Sequence, residues 1–516
     1  MAVRWAVLLP PWIVVMGILV LNLSSYDSFL SVMNTFINWI LENFAWMFNG
    51  ISLGALALVI VAYVSPIGRI RFGGEDAKPI IGYRQYVWIV LCTIMGAGLM
   101  LWACAEPLIH MHNPPANVTA GALSGEAITW AMENIFLEWT FTPMAIYALP
   151  AILFAYVFYN MKQSFSIGSM LKPILGDRIG EKAKAVIDGL CLFCLCMGLS
   201  SSLGSGVLLI VQGASHVTGG AVSANVVSWS ICGLIIIVCY ILSASSGLKR
   251  GIKTLSTINS WFYLALGIFV LAAGPTAYIL NLCTESFGAY LTDFFKLSLN
   301  TSTAWGDGWS RWWPQFYWCT WLTWMPISAV FLGKISRGYT VRQTLNAIFL
   351  IPSLFSVGWM ALFSGTAIKF ELDGLGLYSV MQEQGIAAAA YAMLEHLPLA
   401  GIVVFLFVVT AFISYVTSAD SNILAMANLC TSGLSEKDED SSSIFLKLFW
   451  GLTIGGLCII MLNAFGIDGM KMLADLGGFF SAFLMILFMA AFVKILLGQK
   501  KKDSKTHCAG NEKIPD

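Results

Sequence analysis

Apolar residues along this chain gather into long blocks parted by short polar stretches, and the blocks have the length of a bilayer crossing. They lie at about 6–23, 44–64, 86–109, 136–159, 186–211 and 224–244, then at about 256–281, 313–335, 345–368, 401–429, 445–463 and 470–497. A span needs about 20 apolar residues of helix, so the pattern predicts twelve transmembrane helices in an all-α polytopic membrane protein. Met1–Trp5 carries one Arg and the run to Leu23 lacks a small-residue cleavage site, so the first block reads as a span, not a signal peptide. Leu282–Ser298 is apolar on one side, holds Glu285, Asp293 and Lys296, and reads as an amphipathic helix on the outer surface. Ser435–Ser443 reads as a solvated acidic loop, and the polar tail from Gly498 as unstructured.

Basic residues orient the blocks. Arg69, Arg71, Lys78 and Arg84 follow the second, and Lys162, Lys172, Arg178, Lys182 and Lys184 the fourth. Lys249, Arg250 and Lys253 follow the sixth, and Lys334, Arg337 and Arg342 the eighth; Lys437 and Lys447 flank the loop after the tenth. The opposite loops hold only Lys296, Arg311, Lys369 and Lys471. Cytoplasmic loops carry the excess of Lys and Arg. Both termini are therefore expected in the cytoplasm, with the chain in the cytoplasmic (inner) membrane.

Composition agrees. Of 516 residues 58% are hydrophobic and 11% charged, against about 25% charged in soluble domains. A net charge of zero gives no bulk attraction for nucleic acid. Most of the 12 cysteines fall in apolar blocks; Cys191, Cys194 and Cys196 sit among small residues and read as helix packing, with no disulfide framework implied. His110 and His112, just before Asn113-Pro114-Pro115, read as loop residues, not metal ligands.

Two blocks interrupt themselves near the midplane. The third contains Met95-Gly96-Ala97-Gly98, and the eighth contains Thr323-Trp324-Met325-Pro326; each opens a set of five blocks. Paired broken helices at corresponding positions point to an inverted-repeat transporter with its substrate between them, because unwound backbone in a bilayer is tolerated only where it lines a cavity. The eighth block also carries Trp318, Trp321 and Trp324 at helical i, i+3 and i+6 spacing. Interfacial tryptophans belong at span ends, and Trp321 and Trp324 lie too deep. They form either a wall that grips a cation or a Trp-rich packed core. A third polar island, Thr417-Ser418-Ala419-Asp420-Ser421-Asn422, lies inside the tenth block. An ionisable residue there costs on the order of 3 kcal/mol and marks a candidate site. Its hydroxyls suit sodium, a hard cation that takes oxygen ligands; alternatively they bond back to carbonyls four residues earlier.

With these motifs in view the chain resembles the betaine/choline/carnitine transporter family over about residues 10–497. The resemblance rests on Phe316–Trp321 (FYWCTW), Ile335–Gly338 (ISRG) with Arg342, Met95–Met100 with Glu106-Pro107, and Thr417–Ser421 (TSADS). It implies a leucine-transporter-like core of two inverted five-helix repeats behind two leading helices, assembled as a homotrimer. The divisions become 1–85, two leading helices and a cytoplasmic loop; 86–281, the first repeat; 282–312, the outer helix and loop; 313–497, the second repeat; and 498–516, a cytoplasmic tail.

The resemblance also implies an aromatic box for a quaternary ammonium substrate, formed by Trp139, Tyr147, Trp321 and Trp324 with Trp318 one turn outward. Gly96–Gly98 would meet the carboxylate of a betaine with backbone N–H groups. Three positions depart from the family: Thr320 stands where a second Trp is frequent, Met144 replaces a box Trp, and Ile94 replaces a glycine. A wider cage of this kind favours a bulkier betaine such as carnitine or proline betaine. Thr417 and Ser418, with the carbonyls of Met95 and Cys92, would hold sodium. Asn259 stands where sodium-independent exchangers of the family carry an arginine, which favours sodium symport; Gly189 and Phe193 replace the threonines of a second sodium site, which favours one ion. The alternative is a sodium-independent exchanger of the carnitine/γ-butyrobetaine type. The short tail favours nutrient uptake over osmotic sensing. Sodium is the expected coupling ion and no cofactor is expected. The chain shows no nucleophile–base pair, metal-ligand motif or phosphate loop that would suggest an enzyme or an ATP-driven pump.

Overall fold

The structure, a computed structural model, describes residues 2–96, 98–246, 251–434 and 443–511. Lys249, Arg250 and nearly all of the Ser435–Ser443 loop lie outside them. The described residues are overwhelmingly helical, and their β-pairing is limited to two isolated bridges, Val3 with Thr431 and Arg71 with Thr340. Among the described residues nine helices are long and apolar enough to cross a membrane, or ten when a bent pair counts as one span.

The chain begins with α1 (Trp5–Ser24) and α2 (Tyr26–Val64). α2 starts well before the predicted second block because its first half is amphipathic. Asp27, Asn34, Asn38 and Glu42 dilute its hydropathy, yet Phe29, Met33, Ile37 and Ile40 recur at helical spacing and are buried. The third block is indeed broken: α3 (Tyr83–Met95) and α4 (Gly98–His112) meet at 51°. Gly96 there has φ +50, a conformation that glycine adopts readily. α5 (Gly125–Trp139) starts at Ser124, whose side chain accepts from the Ala127 N–H. α6 (Phe141–Ala155), α7 (Glu181–Val217) and α8 (Val226–Ser246) follow.

The fourth block is parted at Thr140 between α5 and α6, and later blocks depart from the pattern as well. The seventh block ends early, at α9 (Lys253–Ala273); Gly274-Pro275 then starts α10 (Thr276–Ser298), since proline closes one helix and opens the next. α10 packs its apolar face on α5, with Phe136 and Phe287 5.6 Å apart. The eighth block is not unwound at Thr323–Pro326. α11 (Phe316–Ile327) runs straight through and relaxes into a wide π-turn at Ser328–Leu332, just past the proline. Pro326 has no N–H to give the Leu322 carbonyl, and a wider turn absorbs that loss. α12 (Ile351–Leu372) and α13 (Ala400–Leu429) precede α14 (Ile444–Asn511), which joins the last two blocks through a kink at Gly466 (φ +58) and carries helix on into the tail read as unstructured.

α11 is clamped in the middle of the molecule. Thr323 Oγ1 donates to the Cys319 and Ala474 carbonyls (2.8 and 2.7 Å). Gly198 of α7 and Gly477 of α14 abut Thr323, and a Cβ on Gly478 would sit 2.3 Å from the Cys319 carbonyl oxygen. Small residues let membrane helices approach this closely. At one end Gly338 (φ +80) presses on the Lys78–Pro79 backbone, and Arg342 Nε donates to the Tyr63 carbonyl at 2.9 Å. The ISRG motif thus pins the loop after α2.

Candidate functional site

The break between α3 and α4 opens onto a narrow central cavity of about 80 Å³. Trp139, Tyr147, Trp321, Trp324, Thr320, Gly96, Gly98, Met95 and Ser418 all line it. The wall is built edge to face: the Trp139 and Trp321 rings are 5.1 Å apart at 87°, and Tyr147 meets Trp321 at 5.9 Å and 85°. Such pairs leave ring faces free for a cation. Trp321 Nε1 donates to the Glu138 carbonyl at 2.8 Å, and Trp139 Nε1 to Glu106 Oε2 at 2.9 Å. Polar atoms are thus tied behind the wall and the rings face inward. Trp324 is only half-buried. Gly98 has no side chain to fill the space before Trp139, whose nearest ring atom would be 3.6 Å from an added Cβ.

Two expected members do not reach the cavity. Trp318 is fully buried and gives its Nε1 hydrogen to Asn49 Oδ1 of α2 at 3.0 Å. Met144 is fully buried as well and is absent from the wall. On a helix of 3.6 residues per turn each step of three residues turns by about 60°, so Trp318 stands about 120° around from Trp324.

The oxygens expected to hold sodium are split. Ser418 Oγ reaches across to the Thr93 carbonyl of α3 at 3.1 Å, beside the break. Thr417 Oγ1 bonds back to the Ile413 and Ser414 carbonyls of its own helix at 2.9 and 3.0 Å. The broken backbone has another support: Tyr263 OH donates to the Gly96 carbonyl (3.1 Å) and accepts from Ser414 Oγ (2.8 Å), which in turn accepts from Asn259 Nδ2 (3.0 Å). A carbonyl freed by a break inside a membrane needs such a partner. Asp420 is fully buried, and its Oδ2 accepts from Ser243 Oγ at 2.5 Å.

Several site residues escaped the sequence reading. Glu106 accepts from Tyr317 OH as well as Trp139, and with Glu138 and His110 it forms a fully buried cluster whose ligand atoms lie within 4.8 Å of one another. His110 is helical, edge-on to Trp313 at 4.3 Å, and not a loop residue; His112, also helical, stacks on Tyr378 and pairs with Glu371 at 2.9 Å. Carboxylates inside apolar blocks are the signal that was available for Glu106 and Glu138. Ser201, Ser202 and Ser205 of α7 line the cavity too. So does Lys471, which the apolar pattern assigns to an outer loop.

Comparison with known proteins now adds to the geometry. The model of the betaine/carnitine/choline family of transporters matches residues 6–501. The chain belongs to that family. Family members are transporters, so this is a multi-pass membrane transporter and not an enzyme. It is 29% identical over 461 residues to an ectoine/hydroxyectoine transporter of Virgibacillus pantothenticus, covering 89% of this chain and 90% of the relative. It is 28% identical over 494 residues to the glycine betaine transporter OpuD of Bacillus subtilis, covering 95% and 94%. The ectoine/glycine betaine/proline transporter EctP of Corynebacterium glutamicum is 32% identical over 427 residues, covering 81% and 67%.

Proposed function

We propose that this transporter imports a quaternary ammonium compound of the betaine, carnitine or choline type across the cytoplasmic membrane by sodium symport. The observation that carries this reading is the cavity wall of Trp139, Tyr147, Trp321 and Trp324. A methylated cation offers no hydrogen-bond donors, and desolvated ring faces hold one for about 2 kcal/mol per contact. The related ectoine and glycine betaine transporters support a compatible-solute substrate. Sodium coupling draws support from Ser418 Oγ at the α3–α4 break. Twelve spans follow if the bent α3–α4 pair and segment 311–335 each count as one and α14 as two, divided at Gly466. An even count keeps both termini on one side, the excess of Lys and Arg in the loops of that side favours the cytoplasm, and the family resemblance favours a homotrimer.

Exchange without sodium is the second reading. It is favoured by Thr417, whose hydroxyl is already satisfied by its own helix. The test is intrinsic tryptophan fluorescence of the purified protein, titrated with glycine betaine, choline, carnitine, γ-butyrobetaine and proline betaine, with and without sodium. A saturable change strengthened by sodium, and lost in a folded Trp324→Leu variant, is expected. Binding indifferent to sodium selects the exchanger, and unchanged affinity in Trp324→Leu removes the box.

A further inference from the structure

Among the described residues Lys471 is the one charged side chain in the cavity wall. It sits on α14 shortly after the Gly466 kink, which swings this part of the helix over the cavity instead of leaving it in a loop. Its Nζ lies 5.2 Å from the Trp313 ring centroid, 5.3 Å from Phe316 and 5.6 Å from Trp102. Three aromatic faces fix where the ammonium stands, but they do not neutralise it. Among the described residues no carboxylate comes within ion-pair distance of it; Asp468, Asp475 and Glu106 act on it only from farther off. Its three N–H donors are therefore available to whatever enters the cavity. Phe316 and Trp102 also border the space in front of the aromatic box, so the protein's own cation and the site for the substrate's cation share one enclosure.

That arrangement has an electrostatic consequence. A charge in a partly desolvated cavity calls for a counter-charge, and like charges in the same low-dielectric space repel. An onium compound that also carries a carboxylate satisfies both ends; one without a carboxylate brings a second positive charge and nothing for Lys471. We propose that Lys471 adds a charged anion contact to the backbone one that the family resemblance implies at Gly96–Gly98, drawing the carboxylate of a zwitterionic onium substrate and selecting against onium compounds that lack one. This inference rests on the onium reading above and adds to it a residue that separates betaines from choline.

The test uses the full-length purified protein and two ligands that share a trimethylammonium head, glycine betaine and choline, followed by tryptophan fluorescence. Wild type is expected to prefer glycine betaine. Lys471→Gln is expected to weaken glycine betaine by about 10-fold or more, the scale of a lost charge-assisted hydrogen bond, while choline binds as well as before or more tightly. Retained choline binding also shows that the variant is folded. Lys471→Arg, which keeps the charge, should keep the preference. Equal weakening of both ligands, or no change in either, overturns the subsite. If wild type and Lys471→Gln both ignore both ligands, the onium reading itself fails and the subsite with it. Trp324→Leu distinguishes the two ideas from the other side, since it should weaken both ligands together.

Discussion

Glu106 holds two cavity aromatics by their polar ends, taking the Trp139 indole hydrogen and the Tyr317 hydroxyl hydrogen on the same oxygen. Both donors are buried, and stranding such a donor costs about 1–3 kcal/mol. Glu106→Ala should therefore weaken substrate binding by about tenfold or more and lower the melting temperature, whereas Glu106→Gln keeps an acceptor and should lose less. Glu138 is the contrasting case. Neither of its carboxylate oxygens meets a hydrogen-bond donor among the described residues, and Glu106 lies beside it. Two carboxyls this close in a buried site cannot both ionise without a large cost, and an amide in place of one removes that cost. Glu138→Gln should leave the protein as stable as wild type or more so. Thermal melts of the three variants with and without ligand check both statements; an unstable Glu138→Gln would mean that this carboxylate holds a cation.

At the scale of elements, the position of the aromatic wall depends on how closely α11 packs between α7 and α14. Gly478→Ala would drive a methyl group into the Cys319 backbone, 2.3–2.6 Å away, where nothing flexible can yield. Overpacking of that kind costs about 1–3 kcal/mol, and yield and melting temperature should both fall. Gly54→Ala is the control: its Cβ meets only the mobile end of Met489, at 2.5 Å, and should be tolerated. If the two variants behave alike in size-exclusion and melting assays, the clamp is not what holds α11. Much of this layout was legible beforehand. The Gly96–Gly98 break, the aromatic run and the apolar blocks all stand out, because glycine conformation and bilayer length act locally. What escaped depended on tertiary direction. Pro326 promised a break, but the helix takes up one missing N–H with a wide turn. Lys471 read as a loop cation because hydropathy shows a gap there, and it cannot reveal that Gly466 bends the chain instead of ending the helix. Trp318 shares the spacing of its neighbours yet faces α2.

At the scale of the whole molecule, the basic residues converge on one end together with the N-terminus. Arg4 pairs with Asp188 at 2.8 Å and its Nη1 donates to the Leu429 carbonyl, while the loop after α2 hydrogen-bonds to Tyr339 and Asn160. If that end is cytoplasmic, the direction of transport and the charge moved can be read together. Glycine betaine is a zwitterion with no net charge, so one sodium ion per substrate moves one positive charge inward. An interior-negative potential then adds about 2.3 kcal/mol per 100 mV to the driving force, equivalent to roughly 50-fold further accumulation. Exchange of one zwitterion for another moves no charge and gains nothing from the potential. In proteoliposomes, glycine betaine uptake should therefore rise with an inward sodium gradient and rise again when a potassium–valinomycin potential, negative inside, is imposed. Uptake that answers to neither, but speeds up when betaine is preloaded inside, would reject symport and assign the exchanger.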